Sequence, residues 1–216
     1  MVSSISVCCF GDSIYQSILE EDMKLIFLAA CSFLLGSIPT GLLIAKTRGI
    51  DLKKCGSGNI GATNVLRTTG KLPALLTLVG DFLKGTGAAW LGGYYGLDIS
   101  GQGIVGLCAI LGHDFSVFLK FRGGKGVATS LGVLSIYSPQ TCIFTIIIWA
   151  MIALITRYSS LGAILSFGIL PFSIIFLDTR EKFLFAFFAM ILVMIKHRDN
   201  LSRLLKGTES KIGVKS

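Results

Sequence analysis

The sequence predicts an all-α polytopic membrane protein, a single bundle of about seven transmembrane helices with its N-terminus outside and its C-terminus cytoplasmic. Three observations carry this. Hydrophobic residues make up 52% of the 216-residue chain and charged residues only 15%, whereas a soluble domain carries about 25% charged residues. The apolar runs are long and continuous rather than alternating at period two, which excludes barrel strands and leaves helices as the way to satisfy the backbone in lipid. The cations gather in short blocks between those runs, so the net charge of +8 reads as positive-inside topology rather than nucleic-acid binding.

Residues 1–22 differ from the rest of the chain. They hold Asp12, Glu20, Glu21 and Asp22 and no Lys or Arg, which is not the basic start of a signal peptide. The segment reads as an N-terminal extension, with Met23 the expected first residue of the working protein. Residues 23–209 form the membrane domain and 210–216 a basic tail.

Leu25 to Ala45 is long enough to span, because about 20 residues cross a bilayer core. Pro39, between two glycines in GSIPTG at 36–41, predicts a kink or early unwinding there. Lys46, Arg48, Lys53, Lys54, Arg67 and Lys71 come next, against Asp51 alone, so this loop is cytoplasmic. Pro73 to Leu97 returns across the membrane carrying Asp81 and Lys84, which share a helix face and predict a structural ion pair. Asp98 to Gly101 is an outer turn, and Ile104 to Leu119 leads back to the basic loop Lys120–Gly126. Kept as one span, residues 127–156 would put the basic C-terminal tail outside. Divided at Ser138-Pro139, they give Val127 to Tyr137 and Gln140 to Thr156. Leu161 to Leu177 and Phe183 to Ile195 complete seven helices, of which the fourth and seventh are short. The six cysteines, at 8, 9, 31, 55, 108 and 142, have no metal spacing and predict no disulfide.

This topology gathers four polar segments on the cytoplasmic face: Gly56–Gly70, Lys120–Gly126, Arg157–Ser160 and Lys196–Lys206. The first, GSGNIGATNVLRTTG, combines glycines, hydroxyl and amide side chains and Arg67, a composition suited to an oxyanion cradle as well as to a solvated linker. Together the segments bring Ser57, Thr63, Arg67, Arg122, Lys125, His197, Arg198, Asn200 and Arg203 to one side with no matching cluster of acids. The surplus of donors points to an anionic ligand, most economically a phosphate. Spacing excludes other chemistries. Gly126 stands where a Walker A loop needs Ser or Thr. Neither His113 nor His197 has the Asp five residues later of an HxxxxD acyltransferase. GxSxG, HExxH and CxxC are absent.

GSGNIGATNVLRTTGK at 56–71, GHDFSVFLKFRGGKGVAT at 112–129 and KHRDNLSRLLKGTE at 196–209 closely resemble the three cytoplasmic motifs of the bacterial acyl-phosphate:glycerol-3-phosphate acyltransferases. GSIPTG at 36–41 and DFLKG at 81–85 are similar to that family too, so the resemblance runs in order from about Met23 to Glu209. It implies an inner-membrane enzyme, with its active site on the cytoplasmic face, that transfers a fatty acyl group from acyl phosphate to the sn-1 hydroxyl of glycerol 3-phosphate. It further implies no metal or cofactor, a monomer, and a functional link to an enzyme that produces acyl phosphate. Carried over residue by residue, Ser57, Thr63, Arg67, Lys125, His197 and Asn200 match the phosphate-binding and catalytic positions, with Ser57, Arg67, Lys125 and His197 nearest the chemistry. Ser160 matches a polar position of the same pocket, and Gly123, Gly124 and Gly126 match a loop associated with acyl phosphate.

Acyl phosphate is already an activated mixed anhydride, so such an enzyme needs no acyl-enzyme nucleophile. His197 could act as a base or hold substrate phosphate. A cation-rich site lowers its pKa and favours the second role. Two other classes remain open on the residues alone. A membrane carrier for phosphorylated or other small anions would also use kinked spans and a donor-rich pocket, although no internal repeat is found. A scaffold without chemistry leaves the three motifs unexplained.

Overall fold

The computed structural model describes the backbone of residues 3–213 and the side chains of 16 and 19–213. Ten α-helices lie within that range, and no strand occurs among the described residues. They are α1 (Ser3–Ser37), α2 (Thr40–Lys46), α3 (Ala62–Thr68), α4 (Lys71–Tyr94), α5 (Ile99–Asp114), α6 (Val127–Tyr137), α7 (Pro139–Thr156), α8 (Ser159–Leu177), α9 (Phe183–Lys196) and α10 (Arg198–Leu205).

The expected break at Pro39 is present, because the chain leaves the helix at Ile38-Pro39 and re-enters it at Thr40. Helix α1 runs through Met23 without interruption, so the first helix begins upstream of the expected span. Cys8, Cys9 and Asp12 lie outside the described side chains; Cys31, Cys55, Cys108 and Cys142 are free thiols. Asp98 accepts the Gly101 N–H at 2.7 Å and caps α5, which fixes the turn after α4. Pro139 opens α7 at its first position, where the ring removes a donor the helix does not need. This divides 127–156 into α6 and α7 at the expected point.

Among the described residues, four segments are long and apolar enough to cross a membrane: Leu19–Lys46, Ile99–Leu119, Pro139–Thr156 and Ser159–Leu177. Helices α6 and α9 are apolar but short, and α4 carries Asp81 and Lys84. The outer surface is greasy: Phe176, Leu154 and Phe172 are among many exposed large apolar side chains, as expected of a lipid-facing belt.

Helices α1 and α5, and α4 and α6, approach backbone to backbone. A Cβ on Gly36 would stand 2.0 Å from the Ala109 carbonyl oxygen, and one on Gly112 2.1 Å from that of Phe33. Gly85 meets the Thr129 carbonyl at 2.0 Å and Gly132 that of Phe82 at 1.9 Å on the same measure. Small residues on facing helices allow such contact where no hydrophobic force draws helices together in lipid. The main apolar core lies between α5, α6, α8 and α9, with Ile110, Leu134, Phe167, Leu170, Ile174 and Val193 fully buried.

Two helices fall where the sequence reads as polar loop. Helix α3 forms inside the Gly56–Gly70 stretch because Val65 packs into a small cluster with Ala45, Leu52 and Ala74. Helix α10 forms in the C-terminal motif, where apolar Leu201, Leu204 and Leu205 alternate with charged residues at helical spacing.

Candidate functional site

Asn64 organises the first motif. It is buried at 2% exposure, accepts the Ser57 N–H at 2.9 Å, and donates to the carbonyls of Asn59 at 2.8 Å and Cys55 at 3.1 Å. Gly56 adopts φ +60°, and a Cβ there would stand 2.3 Å from Asn64 Oδ1. Glycine is therefore required by both conformation and space. The loop is folded around Asn64, whose amide serves the backbone, and it presents Ser57, Thr63 and Arg67.

Lys125 comes from the loop that opens α6, and His197 and Asn200 come from the junction of α9 and α10. Lys125 Nζ donates to Asn200 Oδ1. Asn200 Nδ2 donates to Glu209 Oε1 at 2.6 Å, Ser160 Oγ to the same oxygen at 2.7 Å, and Arg203 Nε to Oε2 at 2.7 Å. Arg67 donates to the Ser210 carbonyl at 2.7 Å. One carboxylate thus ties α8, α10 and the C-terminal segment together amid Arg67, Lys125 and Arg203. Burial opposes ionisation of Glu209, but these three hydrogen bonds outweigh it and hold its pKa below the usual carboxylate range.

Burial lowers the pKa of Lys125 to about 8, against the attraction of Glu209 and with further lowering from Arg203 and Arg67. Burial, then the Lys125 charge, lowers that of His197 to about 4. The imidazole is therefore neutral at physiological pH. Its Nδ1 lies 2.8 Å from the Val193 carbonyl oxygen, which can only accept, so Nδ1 carries the proton. Nε2 is left as an acceptor.

These side chains close one end of a cavity of about 420 Å³. Its polar end is lined by Ser57, Thr63, Arg67, Lys125, Ser160, His197, Asn200 and Glu209, and its apolar end by Leu78, Val79, Phe82, Leu131, Ile146 and Trp149. Leu78, Val79 and Ile146 are also substantially exposed on the outer surface. The apolar part of the lining therefore includes side chains that are not closed off by packing.

Of the ten site residues expected from sequence, eight line this cavity: Ser57, Thr63, Arg67, Lys125, Gly126, Ser160, His197 and Asn200. Gly123 and Gly124 do not; they pack against the last turn of α5, where a Cβ on either would stand 2.0–2.1 Å from His113. Arg122 and Arg198 also lie outside it. Glu209, which ends the third motif, is not among the site residues expected from sequence; of the two acids in that motif it gathers three donors, whereas Asp199 is exposed beside Arg198. The sequence predicts Asp81 only as the partner of Lys84. That pair is present at 2.9 Å, but Asp81 and His113 reach the cavity wall as well.

The fold and the site define an integral membrane helical bundle with a cavity lined by both cationic and apolar side chains. Residues 26–207 match the family model described as glycerol-3-phosphate acyltransferase. The chain is 47% identical to the glycerol-3-phosphate acyltransferase of Mesorhizobium japonicum over 192 residues, which cover 88% of this chain and 97% of that one. It is 45% identical to that of Thermus thermophilus over 184 residues, covering 84% and 92%. Its structure is similar to the crystal structure of PlsY (YgiH), an integral membrane glycerol 3-phosphate acyltransferase, in the glycerol 3-phosphate form. There the TM-score is 0.82 and the identity 39%, covering 88% of this chain and 96% of that one. The lysophosphatidic acid form of the same enzyme gives 0.80 and 38%. The chain belongs to the glycerol-3-phosphate acyltransferase family.

Proposed function

We propose that this protein transfers a fatty acyl group from acyl phosphate to the sn-1 hydroxyl of glycerol 3-phosphate, releasing lysophosphatidic acid and inorganic phosphate. The observation that carries the reading is one cavity lined both by the cations Arg67 and Lys125 and by apolar side chains such as Leu78, Phe82 and Trp149. In this reaction the glycerol hydroxyl oxygen bonds to the acyl carbonyl carbon, the bond from that carbon to the phosphate oxygen breaks, and the hydroxyl proton leaves with phosphate. Both substrates are phosphorylated, so Arg67 and Lys125 offset their mutual repulsion and stabilise the charge growing on the leaving group. Holding the hydroxyl beside the carbonyl supplies several kcal/mol of the barrier.

His197 serves substrate binding in this scheme. Its free Nε2 accepts a glycerol hydroxyl, while a phosphate oxygen takes the reacting proton. Ser57, Thr63, Ser160 and Asn200 complete the polar pocket, and the Gly123–Gly126 loop sets Lys125 against the acyl phosphate. Seven crossings by α1/α2, α4, α5, α6, α7, α8 and α9 put these groups at the cytoplasmic face of a bacterial inner membrane, with the N-terminus outside. The working protein is a monomer, uses no cofactor, and takes its donor from an acyl-phosphate-producing enzyme.

The test is acyl transfer by the purified protein from palmitoyl phosphate to labelled glycerol 3-phosphate, with palmitoyl-CoA as a parallel donor. Product from acyl phosphate alone is expected. Equal product from palmitoyl-CoA overturns the donor assignment, and no product from folded protein turns attention to anion transport in liposomes.

A further inference from the structure

The Lys125 loop is held from behind by the end of α5. Gly124 N–H donates to the His113 carbonyl at 2.9 Å, and Gly123 N–H to that of Asp114 at 3.2 Å. The His113 ring presses on the same loop, since a Cβ on Gly124 would stand 2.1 Å from its Nε2. On the ring's other side, Nδ1 faces Asp81 Oδ1 at 3.5 Å. That carboxylate is fixed in turn by Lys84 at 2.9 Å and by Thr40. Lys84 also donates to the Ile38 carbonyl at 3.1 Å, a group freed by the break between α1 and α2.

The chain of contacts runs from the helix break through Lys84, Asp81 and His113 to Gly124, the neighbour of Lys125. Asp81, Lys84 and His113 are each at most 5% exposed. Apolar residues of similar volume would join α4 to α5 at least as stably as buried charges do. What charges add is direction, because an ion pair fixes the distance and orientation of its partners. A second contact acts alongside it: Lys196 Nζ donates to the Asp114 carbonyl at 2.7 Å, which anchors the residue before His197 to the same turn of α5.

We infer that Asp81 and His113 are positioning residues that hold the GGKG loop so that the Lys125 ammonium stays at the anionic end of the cavity. Neither touches substrate in this role; both act through Lys125. The kinetic half of the test rests on the proposed reaction, and the other half does not.

The activity-independent experiment is labelling of Lys125 by a water-soluble amine reagent in the intact detergent-solubilised protein, read by mass spectrometry. In the isosteric Asp81→Asn variant the His113 ring loses the carboxylate that orients it against Gly124, the loop is held by its two backbone hydrogen bonds alone, and Lys125 labelling rises severalfold over the unsubstituted protein. Unchanged labelling in a folded Asp81→Asn overturns the inference, whatever the protein catalyses. The kinetic experiment is a double-mutant cycle. Asp81→Asn lowers kcat/KM for acyl phosphate about tenfold or more, as displacement of a catalytic group does. In a Lys125→Ala background the same substitution has little further effect, because its route to the reaction is already gone. Effects that multiply instead show that Asp81 works independently of Lys125 and overturn the inference. Should Asp81→Asn fail to fold, Gly124→Ala probes the same contact from the loop side and is expected to give the same labelling and the same non-additivity. Increased labelling without any acyl transfer by the unsubstituted protein would leave the positioning role standing and remove the proposed reaction.

Discussion

Two polar clusters sit close together in this bundle, and they differ in whether their charges are matched. Around Asp81 the partners are internal: Lys84, His113 and Thr40 converge on one carboxylate whose side chain is 4% exposed. Around Glu209 the cations Arg67, Lys125 and Arg203 outnumber the one carboxylate. Ser160, Asn200 and Arg203 occupy it, while Lys125, Arg67 and His197 face the same cavity. A matched network fixes shape. An unmatched one retains positive potential and neutral donors for a ligand, and here it does so in a cavity also lined by apolar side chains.

That contrast is broken most directly at the unmatched cations. Lys125→Ala and Arg67→Ala are each expected to lower kcat/KM for acyl transfer by about 10²–10³-fold, the effect of removing one preorganised donor from developing charge. Steady-state kinetics with folded variants check this, and a loss below threefold would place the anion elsewhere. His197→Ala is expected to raise KM for glycerol 3-phosphate by about five- to tenfold with a smaller change in kcat, since one lost hydrogen bond costs about 1–1.5 kcal/mol. A large fall in kcat at unchanged KM would make it the base instead.

Glu209→Gln tests the acid that organises the open cluster. Loss of its charge weakens three hydrogen bonds and leaves Arg203 and Lys125 to repel each other. The expected cost is about 1–3 kcal/mol, read as a lower thermal midpoint in detergent. An unchanged midpoint would reduce Glu209 to a bystander.

The pH dependence is gentler. Lys125 binds anion when charged, so kcat/KM falls as pH rises through about 8. His197, lowered to about 4, adds no limb of its own near 6.5. A step there that persists in His197→Ala belongs to the substrate phosphate, whose second pKa is about 6, and one that disappears in His197→Ala would contradict its burial. For stability the sign is reversed. A lysine whose folded pKa lies below its unfolded value disfavours the folded state while charged, and this cost disappears between pH 8 and about 10.4. Smallest of all, Arg122→Ala and Arg198→Ala lie outside the cavity and leave kcat/KM within about twofold, as surface changes do. A tenfold loss at either would extend the site beyond the cavity.

Much of the site was legible because its residue types have few other uses in a greasy chain. Arg67, Lys125, His197 and Asn200 stand in polar islands between apolar runs, and all four line the cavity. Glu209 was not legible as an anchor, because its three partners come from α8 and α10 and only folding brings them together. Gly123 and Gly124 were read as ligand-facing from their resemblance to a phosphate-associated loop. Sequence does not record that the His113 backbone and ring occupy the space a side chain would need.

The sequence by itself determined the helical class, the break at Pro39, the division of 127–156 at Pro139 and the composition of the polar islands. Hydropathy, proline geometry and residue chemistry are local properties, read within a few residues. Only the tertiary structure decided that α3 is a helix, that eight of the ten expected residues share one cavity, and that the His113 ring sits between Asp81 and Gly124. These depend on contacts between segments distant in sequence, where helix-to-helix distance and the volume left between side chains decide which groups meet.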